Sequence, residues 1–212
     1  MVAAAPDILV IGDLPFMTYE AGVELALLNA ARYFRESGVR AVKLEGGQSI
    51  VPQIKAMTTA GIPVMGHLGL TPQRSATLGG FKVQAKSAQE ARILLEDALA
   101  LQEAGCFALT LECVPAAIAA DTSKKLDIPT IGIGAGPDCD GQVLVLHDLL
   151  GMGEFQPRFA KTFAQLGETA VQAIGQYAQE VRQGIFPAPE HCFSIKDDQY
   201  TEWLALLAAH SQ

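Results

Sequence analysis

The 212-residue sequence contains few cysteines, a single tryptophan and no long apolar run. Its four cysteines show neither CxxC spacing nor zinc-type spacing with the four histidines, which excludes a disulfide framework and indicates reduced thiols. No apolar stretch approaches the roughly 18 residues of a membrane span. Residues 1–7 contain neither a basic region nor an apolar run, so we expect no secretory signal and a cytoplasmic location.

Positive charge is scarce. Fifteen Lys and Arg residues stand against 23 Asp and Glu residues, so the net charge is −8, and no basic run is present. This balance is evidence against nucleic-acid and anionic-membrane partners. Small anionic substrates stay possible, provided that a local cation holds them. The sequence is 50% apolar and only 18% charged, which excludes a disordered chain and predicts a buried core.

Short apolar runs alternate with longer segments of helical periodicity, in the pattern of repeated strand–helix units. The predicted strands cover residues 7–12, 41–44, 63–66, 106–111, 128–133 and 142–146. The predicted helices cover residues 19–38, 49–60, 87–105, 115–125, 163–183 and 199–209. Ser87 and Glu90 form a capping-box pattern at the start of the third helix. The length predicts one domain over residues 1–212, with a helical tail at about 192–212.

Strands that are apolar almost throughout, separated by helices, predict a parallel sheet covered on both faces. Two architectures have this pattern, a doubly wound open sheet and a β/α barrel. Ionisable residues stand at or next to the ends of four successive strands: Asp13, Lys43 with Glu45, His67, and Glu112. A barrel brings all these ends to one mouth, whereas an open sheet spreads them along an edge. The pattern therefore favours the barrel.

Each of these residues also has a purely structural interpretation. Asp13 could be a turn or cap residue, and Lys43 and Glu45 could pair with each other. Glu112 could complement the dipole of the following helix, and His67 could be a structural histidine. These interpretations are harder to maintain together, because solvent-seeking side chains recur wherever an apolar strand ends.

The residue types suggest a reaction class. Asp13 and Glu45 supply the hard oxygen ligands that Mg²⁺ prefers, and Lys43 offers a fixed cation to an anionic substrate. Glu112 lies on a different strand and is free to act as a general base. A metal, a cation and a base together fit the enolisation of a 2-oxo acid.

Seven sequence blocks closely resemble the ketopantoate (3-methyl-2-oxobutanoate) hydroxymethyltransferase family, in order, between about residues 6 and 191. The blocks are GDLPFM (12–17), VKLEGG (42–47), GHLGLTPQ (66–73), GGFKVQ (79–84), LECVP (111–115), IGIGAG (131–136) and DGQVLV (140–145) followed by His147-Asp148.

The resemblance implies a β/α (TIM) barrel of the phosphoenolpyruvate/pyruvate type that binds one Mg²⁺ per subunit. It implies transfer of a hydroxymethyl group from 5,10-methylenetetrahydrofolate to 3-methyl-2-oxobutanoate, giving 2-dehydropantoate for pantothenate and coenzyme A. It also implies a homo-oligomer, which is a decamer in the family. By matching positions, Asp13 and Glu45 resemble the metal ligands, and Asp13 with Lys43 the substrate-binding residues. Glu112 resembles the catalytic proton acceptor, and His67 has a supporting role.

The sequence departs from the family pattern in two places. Ala85 stands where the family has a glycine. The two N-terminal strand–helix units of the family, with a Gly-Asp-Ser turn, have no counterpart, so we expect about six of eight barrel strands. Two alternatives therefore stay open. One is another Mg²⁺-dependent oxo-acid carbon–carbon lyase, and the other is a catalytically impaired homologue that acts as an assembly partner.

Overall fold

The computed structural model describes residues 2–4 and 6–210. The chain divides into two compact units. The first extends to Val145 and also includes Pro157–Ala160, and the second comprises Leu146–Gln156 and the residues from Lys161 onward. The organisation of residues 1–212 as one domain stays a prediction.

The first unit contains a six-stranded sheet in which every neighbouring pair of strands is parallel. The strands are β1 (Ile11–Asp13), β2 (Ala41–Glu45), β3 (Val64–Gly69), β4 (Ala108–Glu112), β5 (Thr130–Ile133) and β6 (Gly141–Gln142). Their spatial order is the same as their order in the chain. A doubly wound sheet reverses its order at a switch point, whereas a β/α barrel does not. The prediction of an α/β fold of the barrel type with six strands is therefore confirmed.

Helices follow most strands of the first unit. They are α1 (Val23–Arg32), α2 (Val51–Thr59), α3 (Ser75–Leu78), α4 (Ala88–Glu103) and α5 (Ala116–Ser123). The predicted capping box at the start of α4 is confirmed, because the Ser87 side chain accepts from the Glu90 amide and the Glu90 side chain accepts from the Ser87 amide. Helix α1 begins later than predicted, since Gly22 precedes it in a conformation that L-residues rarely adopt. Tyr19 consequently lies in the loop between β1 and α1.

Three predicted strands are wrong at one end by three residues or more. Strand β3 continues to Gly69 instead of ending at residue 66. Strand β1 begins at Ile11 and includes Asp13, rather than covering residues 7–12. Strand β6 covers only Gly141–Gln142, not residues 142–146. The amide of Val143 still donates to the Gly132 carbonyl, but the chain then leaves the sheet. As an edge strand within the described residues, β6 pairs only with β5, so nothing holds the apolar run beyond it in an extended ladder.

The second unit is helical, with α6 (Leu146–Leu150), α7 (Leu166–Gln183) and α8 (Asp197–Ala209). Helix α8 lies within the stretch that the sequence predicts as a helical tail. Across residues 2–4 and 6–210, no helix combines the length and the apolar character that crossing a membrane requires.

The core lies between the central strands and the helices that cover them. Val42 and Leu44 on β2 and Leu109 on β4 are fully buried, and Ile54 of α2 and Leu101 of α4 pack in the same cluster. Complete burial of each such side chain contributes about 1.5–3 kcal/mol. These residues hold β2, β3 and β4 in register, and thereby fix the positions of the polar side chains at the ends of these strands.

A small polar network lies at the opposite, N-terminal end of β5. We call it the β5 network, and it consists of Ser123, Thr130 and Asp140. Thr130 donates to Asp140 Oδ2 from both its amide (2.8 Å) and its hydroxyl (2.9 Å). The Ser123 hydroxyl lies 2.8 Å from the Thr130 hydroxyl. The bonds from Thr130 hold the pKa of Asp140 below its usual range.

Candidate functional site

The five residues singled out in the sequence lie at the C-terminal ends of four neighbouring strands. Asp13 of β1 pairs in register with Lys43 of β2, and Glu45 of β2 pairs with His67 of β3. Glu112 is the last residue of β4. Because parallel strands point the same way, these side chains share one edge of the sheet. We call these five residues the site network.

Lys43 occupies the centre of the site network. Its ammonium Nζ lies 2.8 Å from Asp13 Oδ1 and 3.9 Å from Glu45 Oε1. The same atom lies 3.1 Å from Nδ1 of His67. The expected pairing of Lys43 with Glu45 therefore exists, but the contact with Asp13 is much closer. Lys43 is thus a cation held between three strands and not a solvated surface lysine.

His67 connects the lysine to Glu112. An ammonium group can only donate, so Nδ1 of His67 accepts from Lys43 and the ring proton is assigned to Nε2. Nε2 lies 3.1 Å from Glu112 Oε2, although the two are not aligned as a hydrogen bond. The interpretation that Glu112 complements the dipole of the following helix lacks support, because Glu112 lies outside α5 and the first turn of α5 contains no acidic residue. The side chain of Glu112 instead faces the site network.

Glu45 is the most deeply buried acid of the site network, with 2% of its surface exposed. Burial has the largest effect and raises the pKa of this carboxyl, while the amide of Gln73 and the Lys43 ammonium act in the opposite direction. His67 Nδ1 and Lys43 Nζ lie 3.7 and 3.9 Å from Oε1, and the net shift is upward because the loss of hydration outweighs these contacts. Asp13 differs, since half of its side chain is exposed. The edge thus carries one desolvated and one solvated carboxylate.

Two residues at this edge were not found from the sequence. The amide of Gln73 donates to Glu45 Oε2 at 3.1 Å, and the hydroxyl of Tyr19 lies 3.1 Å from the Glu45 carbonyl and 3.2 Å from its amide. The sequence predicts Tyr19 in a helix, and it places Gln73 only within a family motif. The signal that could have found them is their position in the loops that follow β1 and β3, the strands carrying Asp13 and His67.

The ends of β3 and β4 approach each other closely. Gly69 adopts φ +89°, and a Cβ atom there would meet the Glu112 carbonyl at 2.2 Å, so only glycine fits without a backbone shift. Cys113 follows Glu112 directly, and burial together with the Glu112 charge raises the pKa of its thiol to about 11. The thiol is therefore protonated at neutral pH, which is evidence against a nucleophilic role for Cys113.

A metal site is not formed by the described residues alone. Within residues 2–4 and 6–210, no group of three His, Cys, Asp or Glu side chains is arranged to hold a metal ion. Asp13 and Glu45 both lie near the Lys43 ammonium, but a third acidic or histidine ligand does not join them. The site network can thus hold negative charge beside a fixed cation, with Glu112 at a separate position as a possible base.

These features define a class of protein. The chain is an α/β protein of the β/α-barrel type with a polar site at the C-terminal ends of its strands, where active sites of this architecture lie. The sequence profile of ketopantoate hydroxymethyltransferase matches residues 1–189. The chain belongs to the ketopantoate hydroxymethyltransferase family.

Individual relatives agree with this assignment. The 3-methyl-2-oxobutanoate hydroxymethyltransferase of Nitratidesulfovibrio vulgaris is 62% identical over 200 residues, which cover 94% of this chain and 65% of that protein. The enzyme of that name from Oleidesulfovibrio alaskensis is 60% identical over 196 residues, covering 92% of this chain and 68% of its own length. The chain thus spans slightly under two thirds of the length of the first of these relatives.

Proposed function

We propose that the chain carries active-site residues for transfer of a hydroxymethyl group from 5,10-methylenetetrahydrofolate to 3-methyl-2-oxobutanoate, giving 2-dehydropantoate. The observation that carries the proposal is the convergence of Asp13, Lys43, Glu45, His67 and Glu112 at one edge of the sheet. Family membership supports it, since the relatives bear the name of this transferase. The same proposal includes a cytoplasmic location, a role in pantothenate biosynthesis and assembly into a homo-oligomer.

The donor chemistry of two residues in the site network is compatible with Mg²⁺, although the described residues alone do not complete a metal site. Asp13 and Glu45 would hold it, because they supply hard oxygen donors and because the desolvated Glu45 carboxylate gains most from a nearby cation. Mg²⁺ keeps several waters and shares positions with substrate oxygens, so two carboxylates from this chain are compatible with its binding. When bound, the ion would supply positive charge to the developing enolate oxygen.

Lys43, Glu112 and His67 have separate roles in the proposed reaction. Lys43 offers its ammonium group to the carboxylate of the oxo acid. Glu112 accepts the proton of C3, and the resulting carbanion-like centre forms the new carbon–carbon bond with the methylene carbon of the folate. Both bonds from this carbon to the folate nitrogens break, water supplies the hydroxyl oxygen, and the two nitrogens take up one proton from water and the proton removed from C3, so that tetrahydrofolate leaves. His67 has a supporting role beside Glu112, since its Nε2 lies 3.1 Å from Oε2. The side chain of Glu112 is only 14% exposed, which limits competing protonation by water.

The test is the product formed by the purified full chain from both substrates and Mg²⁺, with the Nitratidesulfovibrio vulgaris relative as the positive control. Folate-dependent formation of 2-dehydropantoate supports the proposal. Cleavage of oxo acids without folate would favour the lyase alternative instead. If the relative is active and the chain neither makes product nor exchanges the C3 proton, the chain is an impaired homologue and the proposal is wrong.

A further inference from the structure

Gln73 contacts three residues of the site edge. It lies in the single turn of 3-10 helix at Pro72–Arg74, between β3 and α3. Its amide donates to Glu45 Oε2 at 3.1 Å, and its side-chain Nε2 donates to the Leu14 carbonyl at 2.9 Å. Its Oε1 lies 3.3 Å from the Tyr19 hydroxyl. One residue of the β3 loop therefore contacts β2 and the loop after β1 at once.

Tyr19 fixes the backbone of Glu45 from the other side. Its side chain is fully buried, and its hydroxyl accepts from the Glu45 amide at 3.2 Å while lying 3.1 Å from the Glu45 carbonyl. The carbonyl of Tyr19 in turn accepts from Gln53 of α2 at 3.3 Å. Glu45 is thus held at its backbone by Tyr19 and at its carboxylate by Gln73.

These bonds determine which carboxylate oxygen faces the site. Oε2 of Glu45 is engaged by the Gln73 amide, whereas Oε1 is the oxygen nearest to Lys43 and His67. Leu14 directly follows Asp13, so the bond from Gln73 to Leu14 ties the Asp13 strand end to the residue that holds Glu45. Gln73 therefore links the strand end that carries Asp13 to the carboxylate of Glu45.

We propose that Gln73, supported by the Tyr19 hydroxyl, is a positioning residue that sets the distance between the Asp13 and Glu45 carboxylates so that both contact one divalent cation. This inference rests on the proposed function. Mg²⁺ demands near-ideal octahedral geometry, so a small change in the spacing of its carboxylate ligands weakens binding. Residues that orient the ligands of a metal typically change its affinity by about 10–100-fold when replaced.

The test measures Mn²⁺ binding by electron paramagnetic resonance, with Mn²⁺ as the probe for Mg²⁺, on the full chain with the oxo acid present. Gln73→Met keeps the length of the side chain but removes its bonds to Leu14 and Tyr19. Tyr19→Phe removes only the hydroxyl. Thr130→Val is the matched control, because it deletes a buried, hydrogen-bonded hydroxyl at the opposite end of the sheet. Thermal unfolding of each variant verifies that it is folded.

We expect the dissociation constant of Mn²⁺ to rise at least about tenfold in Gln73→Met and Tyr19→Phe. The dissociation constant of the double variant should rise by less than the product of the two single increases, because both substitutions act through one set of bonds. Thr130→Val should keep the parental affinity even if its unfolding temperature falls. If Tyr19→Phe does not fold, Gln73→Met alone is sufficient for the test, because Gln73 is partly exposed and its replacement is easier to accommodate.

Three results would overturn the inference. Parental Mn²⁺ affinity in a folded Gln73→Met variant would show that Gln73 does not set the carboxylate spacing. An equal loss in Thr130→Val would show that the affinity merely follows stability. A parent chain that binds no Mn²⁺ at all contradicts the metal part of the proposed function, and the positioning role then falls with it.

Discussion

The sheet carries two polar networks, one at each end of its strands, and the pKa of a buried or hydrogen-bonded carboxyl is shifted in opposite directions in the two. In the β5 network, Asp140 Oδ2 accepts two bonds from Thr130, and the pKa of this acid is lowered. In the site network, Glu45 is buried, and its pKa is raised mainly because solvent is removed. The hydrogen bonds to Asp140 stabilise its ionised form. The contacts of Glu45 make up for only part of the hydration that its ionised form loses on burial.

Backbone strain also differs between the two ends of the sheet. The non-glycine residues with positive φ among the described residues are Met17, Ala85 and Cys113, and each lies in a loop that follows β1, β3 or β4. Backbone strain and the buried acid with a raised pKa, Glu45, thus both occur at the end of the sheet that carries the site network, at a cost in stability. The two ends of one sheet thus separate the requirements of folding from those of function.

The largest expected effect tests the catalytic part of the site network. Glu112→Gln keeps the shape of the side chain but removes the proton acceptor, so C3 deuterium exchange of 3-methyl-2-oxobutanoate should slow by roughly 10²–10⁴-fold. Binding of the oxo acid should change far less. Glu103→Gln at the exposed end of α4 is the control and should exchange at the parental rate. Unaltered exchange in Glu112→Gln would leave this residue with a structural role only.

The next effect tests the β5 network as a stabilising element. Asp140→Ala leaves the amide and hydroxyl of the fully buried Thr130 without their acceptor, and should lower the free energy of unfolding by about 1–2 kcal/mol at neutral pH. The value lies at the lower end of the range for such losses because Asp140 itself is exposed and water can partly replace it.

The pH dependence of this loss has a defined sign. Because the pKa of Asp140 is lower in the folded chain, its contribution is present above the usual pKa and disappears as the pH falls through the folded value. Urea unfolding between pH 7 and acid should therefore show the parent and Asp140→Ala converging. Asp140→Asn keeps an acceptor oxygen and should lose less at neutral pH. A difference that stays constant down to acid would contradict the assignment.

In the site network, the contribution of Glu45 to stability should change with pH in the opposite direction. Since the pKa of Glu45 is raised in the folded chain, its ionisation opposes folding, and stability falls as the pH rises through the folded pKa. Glu45→Gln should therefore raise the free energy of unfolding by about 0.5–1 kcal/mol at pH 7 in the presence of chelator, and by less in acid. Lys43 stays paired, because Asp13 lies 2.8 Å away.

The control for this prediction is Glu36→Gln. Glu36 is exposed and paired with Arg32, and this pairing lowers the pKa of Glu36 rather than raising it. It should produce no gain in stability. Glu45→Gln should also lose Mn²⁺ affinity, whereas Glu36→Gln should keep it. A loss of stability in Glu45→Gln would mean that its contacts with His67, Lys43 and Gln73 outweigh its desolvation.

The sequence predicts the C-terminal ends of β1, β2 and β4 well and the loops poorly. Asp13, Glu45 and Glu112 could be located because continuous apolar runs precede them, and parallel strands bring their ends together. Tyr19 and Gln73 could not, because their bonds to Glu45 span 26 and 28 residues and depend on loop conformation. Apolar periodicity records burial, and it contains no information on which loop carbonyl or amide a polar side chain reaches.

The smallest expected effect concerns strain at the site end of the sheet. Ala85 adopts φ +55° and is buried, so its Cβ atom is held in a backbone region that costs an L-residue about 1–2 kcal/mol. Ala85→Gly removes this strain but adds backbone entropy to the unfolded chain and deletes a buried methyl group, so we expect a net gain of only about 0.5 kcal/mol.

Ala104 provides a control with the same 6% exposure and φ −70°, so Ala104→Gly should lose stability because no strain is relieved there. Ala85→Val should lose more than about 1 kcal/mol, since a β-branched side chain tolerates positive φ worse than alanine does. Urea unfolding of the three variants gives a series in which the sign changes with the backbone angle and not with burial. Equal losses in both glycine variants would show that the loop at Ala85 relaxes freely, and strain would no longer distinguish the site end of the sheet from the end that carries the β5 network.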